Sequence, residues 1–296
     1  MAPGSGFEPE YRAPKARVLP LDDPGVTLHY SLHPVLWQDG LPNSACAILR
    51  SGNMARSKLI GYWGVPPREA IDQYRRKHPF DQFIDLDLDM CAPPSGLVPD
   101  AYCQIVTNIV DNSIHLRKDL RVIIAAIGED KCDGGRFAAI ILSDLGFPIV
   151  ETRNTETERR PISICTSGIP LVEKINRITD TVIEPNRKRY RWADPTHGFW
   201  GVPPHDFELL KLFPDTTHVY GWTRCVEAGV PADLDLEIEV EPEVPTVFYA
   251  QSFCAKNSLA RYLAEKHHGL YVDCDGPMTN SVLAKVSAFV RLRGNG

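Results

Sequence analysis

Apolar residues along the chain fall into short continuous runs and helical stripes, and the order in which they appear repeats. "IGYWGV" (60–65) predicts a buried strand, and "PPREAIDQYRRKH" (66–78) predicts the helix after it. Proline suits that start, because the first helical turn has no partner for the missing N–H. "QFIDLDLDM" (82–90) alternates and predicts a second strand. "LRVIIAAIG" (120–128), "GGRFAAIILSDLG" (134–146), "FPIVE" (147–151) and "CTSGIPLVEKI" (165–175) then predict strand, helix, strand, and a Ser/Thr-rich turn into a helix.

The second half restates this order with "HGFWGV", "PPHDFELLKLF", "THVYGWT", "PTVFYAQS", "KNSLARYLAEKHHG", "LYVDC" and "MTNSVLAKVSAF". "GYWGVPP" (61–67) and "GFWGVPP" (198–204) differ only at Tyr62 and Phe199. An extra segment of the first half, "AYCQIVTNIVDNSIHL" (101–116), sets Ile105, Val106, Ile109 and Val110 on one helical face. Strands alternating with helices predict parallel sheets. The expected fold is α/β, with two Rossmann-like parallel-sheet domains related by internal duplication about a pseudo-twofold axis and a ligand cleft between them. Residues 1–44 read as a flexible N-terminal arm, 45–182 as the first repeat, 183–197 as a polar linker and 198–296 as the second repeat.

In open parallel sheets, ligands bind beyond the carboxyl ends of strands, where the following helix N-terminus attracts anions. "GVPP" falls at such an end in each half. Gly64 and Gly201 would let a ligand approach the backbone, and Trp63 and Trp200 would wall the pocket. Ser167 and Thr279, in the matching Ser/Thr turns, would grip the ligand or cap a helix. Each copy of the phrase is thus expected to form one wall of a shared site.

Cys132 and Cys254 each follow a strand and precede a helix, where a thiolate is favoured. Asn257 and Lys256 lie beside Cys254. Two thiols facing each other can take a proton from one side of a carbon and return it on the other. The arrangement resembles the aspartate/glutamate racemase superfamily, which has a cysteine from each of two pseudosymmetric α/β halves. That likeness implies cofactor-independent isomerase, racemase or lyase chemistry at Cys132 and Cys254. The text around them, Cys132-Asp133-Gly134 and Cys254-Ala255-Lys256, departs from that family's cysteine motifs.

Other residues keep other chemistries open. Asp85, Asp87 and Asp89 alternate in "FIDLDLDM" and could share a strand face holding a divalent metal. "DLDLEIEVE", from Asp233 to Glu241, alternates likewise. Asp273 and Asp275 in "YVDCDG" are spaced as in the metal-binding pair of some nucleotide-sugar transferases. Cys91 and Cys225, with Cys132 or Cys254, could ligate an iron–sulfur cluster. The basic linker residues Arg187, Lys188, Arg189 and Arg191 read as solvated.

A formal net charge of −6 excludes the basic excess of a general nucleic-acid binder. With 43% hydrophobic residues, no run approaches bilayer length and no apolar core marks the N-terminus as a signal. Eight cysteines without CxxC pairs suit reduced thiols in the cytoplasm. The expected function is an enzyme acting on a small carboxylate- or phosphate-bearing molecule. A transferase for a phosphorylated or nucleotide-linked substrate, a metal or iron–sulfur protein, and a non-catalytic binding protein stand as alternatives. A homo-oligomer is compatible with all of them.

Overall fold

The computed structural model describes residues 57–293. The 1–44 arm and the start of the first predicted domain lie outside the described residues. The first half runs β1 (Leu59–Trp63), α1 (Arg68–Lys77), β2 (Gln82–Asp85), α2 (Gln104–His115), β3 (Leu120–Ala126), α3 (Asp133–Asp144), β4 (Ile149–Thr152) and α4 (Leu171–Asp180). The second runs β5 (Gly198–Trp200), a 3-10 turn (Phe207–Leu212), β6 (His218–Tyr220), α5 (Trp222–Ala228), α6 (Leu234–Ile238), β7 (Thr246–Ala250), α7 (Asn257–Lys266), β8 (Leu270–Asp273) and α8 (Asn280–Arg293). The strands form two four-stranded sheets, ordered β2-β1-β3-β4 and β6-β5-β7-β8, with every pairing parallel.

Strand alternation explains the layering, because successive side chains leave a strand on opposite faces. Ile60 and Tyr62 of β1 join Val122 and Ile124 of β3 in one core, and Phe199, Val247 and Tyr249 of the second sheet enter that same core. Trp63, Ile123 and Ala125 face the other way, into a core with α2 and α3. Trp200, Phe248 and Ala250 likewise form a core with α7. Both faces of each sheet are covered, which is why these strands read as continuous apolar runs.

The structure departs from the sequence reading in five places. First, β2 ends at Asp85, so Asp87 and Asp89 do not continue a strand face. The Asp85 carboxylate accepts the Asp87 N–H at 3.0 Å, a local bond that competes with the sheet ladder. Second, "DLDLEIEVE" forms α6 rather than a strand, because Asp233 caps it by accepting from the Leu236 N–H at 2.9 Å. Third, "THVYGWT" splits: β6 stops at Tyr220, and Gly221, at φ 73°, starts α5 at Trp222. Fourth, the segment expected to be extra, α2, is the crossover from β2 to β3, a place filled in the second half by α5 and α6. Fifth, the helix expected at "PPHDFELLKLF" is reduced to the 3-10 turn.

Candidate functional site

The carboxyl ends of strands in both sheets border one cavity of about 390 Å³. Asp85, Asp87 and Asp89 reach it from the end of β2, and Glu129 to Cys132 from the loop after β3. Val202 to His205 come from the loop after β5, Trp222 from α5, and Gln251 with Cys254 to Lys256 from the loop after β7. Helix α2 supplies Cys103 to Val106, with Asn108 and Ile109.

The first half builds a compact charged cluster at one part of the wall. Asn108 donates to the carbonyl of Asp87 at 2.9 Å, and Asn112 to those of Leu86 and Leu88 at 3.1 and 2.7 Å. Two asparagines one helical turn apart thus hold the turn after β2 in place. The Gly64 N–H donates to Asp87 Oδ2 at 2.7 Å, and Lys131 Nζ stands 3.9 Å from the same oxygen. Lys131 also lies over the Trp222 ring, 5.6 Å from its centroid. Burial, then the charge of Asp87, pushes Asp85 well above the usual carboxylate range. Burial also raises Asp130 against the pull of Lys131. Burial alone would lower Lys131, but Asp87, Asp130 and Asp85 outweigh it and hold the ammonium above its ordinary value.

The two halves meet across the cavity through side chains. His205 Nε2 lies 3.3 Å from Asp89 Oδ2. The Cys103 thiol donates to Gln251 Oε1 at 3.6 Å. Cys132, the exposed residue before α3, and the half-buried Cys254 both line the cavity. The expected lowering of the thiol by a helix N-terminus does not hold at Cys254. Burial raises it, outweighing both the Lys256 N–H and the Lys256 ammonium. Cys103 is a third thiol on the wall, pushed up to about 11 by burial. Sequence reasoning did not single it out, though its place just before an amphipathic helix matches that of Cys132.

The repeated phrase meets the cavity only in its second copy, through Val202, Pro203 and Pro204; its tryptophans and glycines stand behind the wall. Trp63 and Trp200 are fully buried and donate their indole N–H to the carbonyls of Ala126 (3.1 Å) and Glu237 (2.7 Å). They pack the sheets and do not wall the cavity. Gly64, at φ +65°, gives Lys131 room: a Cβ there would collide with Lys131 Cε and lie 2.7 Å from its Nζ. At Gly201 a Cβ would strike the carbonyl oxygen of Tyr249, so this glycine serves the packing of β5 on β7. Ser167 is buried and donates to the Ile164 carbonyl at 2.7 Å. Thr279 is exposed and caps α8, accepting from the Val282 N–H at 3.3 Å. Asn257, next to the cavity loop, accepts from the Tyr271 hydroxyl at 2.6 Å.

The metal candidates separate. Cys91 is exposed with φ 56°, whereas Cys225 is buried in α5, pushed up to about 12 by burial, and directs its thiol to the Asp233 carbonyl at 3.5 Å. Neither lines the cavity that holds Cys132 and Cys254. Asp273 and Asp275 are taken up by Ser252, which bonds to the first through its hydroxyl and to the second through its N–H. Among the described residues, no group of three or more His, Cys, Asp or Glu side chains is arranged to hold a metal ion. No described helix is long and apolar enough to cross a membrane. No family model matches the chain, and no curated protein matches its sequence.

Proposed function

We propose that the chain is an enzyme that moves protons on a small molecule held in this cavity, an isomerase or lyase in reaction class. The observation that carries the reading is the presence, around one cavity, of the thiols of Cys132 and Cys254 together with the half-buried Asp85–Asp87–Asp130–Lys131 cluster. In the proposed step one thiolate removes a proton from carbon and the other thiol delivers one to the opposite face. The Lys131 ammonium steadies the negative charge that develops, and the raised carboxyls act as the proton reserve. We take the cavity as an interdomain cleft between two duplicated halves, 45–182 and 198–296, joined by 183–197. The matching strand orders and the matching positions of Cys132 and Cys254 after β3 and β7 support that origin.

The test is a panel of small carbon acids (amino acids, hydroxy acids and amino ketones) incubated with the protein in deuterated water and followed by proton NMR. Exchange of a carbon-bound proton that disappears in Cys132→Ala and Cys254→Ala supports the reading. Exchange that persists in the double variant overturns it. The raised Cys254 thiol favours a second reading, a binding protein without turnover, which predicts a tight ligand and no exchange.

A further inference from the structure

The cavity wall carries an excess of acidic groups, against the sequence expectation of an anionic ligand. Asp85, Asp87, Asp89, Glu129 and Asp130 bring five carboxyls to it, against the two ammonium groups of Lys131 and Lys256. Lys256 is already paired with Glu237, at 2.5 Å. Asp89 has His205 as its partner. Lys131 is therefore left to serve the three half-buried carboxyls of the cluster, and at 3.9 Å it is beyond hydrogen-bond reach of Asp87. Asp87 Oδ1 and both carboxylate oxygens of Asp130 are buried in the wall with no hydrogen-bond partner. Native proteins rarely leave three such acceptors unmet at one place. Much of the remaining wall is apolar, including Ile105, Val106, Ile109, Val202, Phe207 and Trp222, with Gln104, Asn108, Asn176, Thr179 and Gln251 as neutral polar members.

We infer that the cavity takes a primary amine: an ammonium head donating to Asp130 and Asp87, carried on an apolar body of aromatic size that lies against Trp222 and Phe207. An ammonium has three N–H donors, and the wall holds three unmet carboxylate oxygens. A carboxylate or phosphate head would instead face five carboxyl groups. The inference rests on the cavity being the ligand site, as in the function proposed above, but not on turnover.

Three probes that share a phenylethyl body decide it: 2-phenylethylamine, 2-phenylethanol and 3-phenylpropionate, titrated calorimetrically into the full chain at neutral pH. The amine should bind at least about tenfold more tightly than the alcohol, the effect of one charge-assisted hydrogen bond, and the carboxylate more weakly than either. In Asp130→Asn the amine's advantage should vanish while the alcohol binds as before. No hydrogen bond to the Asp130 side chain is lost in that variant, and an unchanged unfolding midpoint confirms that it folds. A carboxylate that binds as tightly as the amine, an amine preference that survives in Asp130→Asn, or a failure of all three probes to bind would each overturn the inference. Amine binding with no carbon–hydrogen exchange in any compound would end the enzyme reading and leave this one standing. Exchange confined to anionic carbon acids, with no amine preference, would do the reverse.

Discussion

Gly64 and Gly201 occupy the same place in the repeated phrase, yet the structure gives their replacement by alanine opposite consequences. At Gly64 the backbone has φ +65°, a left-handed conformation that costs an alanine about 1–2 kcal/mol. The added Cβ meets chiefly the end of Lys131, a flexible side chain that can swing away. The total loss should therefore stay near 1–2 kcal/mol, a melting shift of roughly 2–8 °C for a chain of this size. The displaced Lys131 would leave Asp87 and the Trp222 ring. At Gly201 the backbone has φ +149°, and the Cβ meets the Tyr249 carbonyl, part of a central strand that cannot move without opening the sheet. Strain of about 1–3 kcal/mol and overpacking of a similar size add to roughly 2–6 kcal/mol. Urea unfolding measures the stability of both variants, and mass-spectrometric footprinting with an amine-acylating reagent reports on Lys131. Gly64→Ala should speed acylation of Lys131 with a small stability loss, and Gly201→Ala should lose more stability with Lys131 still protected in the folded fraction. Equal stability losses, or a Lys131 equally protected in Gly64→Ala and the parent, would refute the reasoning.

Asp85→Asn should make the protein less sensitive to pH. A carboxyl whose folded value is raised binds more protons folded than unfolded, so stability is fully present below the unfolded value of about 3.9 and falls as pH rises toward the folded one. The variant's advantage in urea midpoint should therefore grow from pH 4 to pH 7, and a flat difference would sink the assignment. Iodoacetamide mapping at neutral pH should label the exposed Cys91 and Cys132 before Cys254, whose thiol is raised, and reach Cys103, Cys165 and Cys225 only on unfolding. Labelling of Cys254 ahead of Cys132 would contradict this. Glu227→Gln should cost ~2–3 kcal/mol in urea unfolding, because its carboxylate accepts three backbone N–H groups, from Ser163, Ile164 and Cys165, at 2.6–2.8 Å. An amide nitrogen would set a donor against one of those donors, so a loss below ~1 kcal/mol would show that the three bonds are not made.

Much of the architecture was written in one dimension. Runs such as "VIIAA" and "TVFYA" must be buried on both faces, and runs of that kind separated by amphipathic helices force parallel pairing. The loop positions of Cys132 and Cys254 followed from the same periodicity. Local side-chain bonds were harder to foresee. "DLDLD" has a strand's period, but Asp85 turns back on the Asp87 N–H and ends β2, while Asp233 does the equivalent by capping α6.

The charged cluster was beyond the sequence altogether. Asp87, Asp130 and Lys131 come together because β1 lies between β2 and β3, so that the loops following β2 and β3 converge over Gly64. The tryptophans of the phrase looked like pocket walls, yet their indole N–H groups find buried carbonyls, and the glycine beside each one decides what may cross it. Periodicity reports which face of an element is buried and so determines the elements and their order. It carries no information on what lies opposite that face, and the sign of the charge in the cavity depends on that alone.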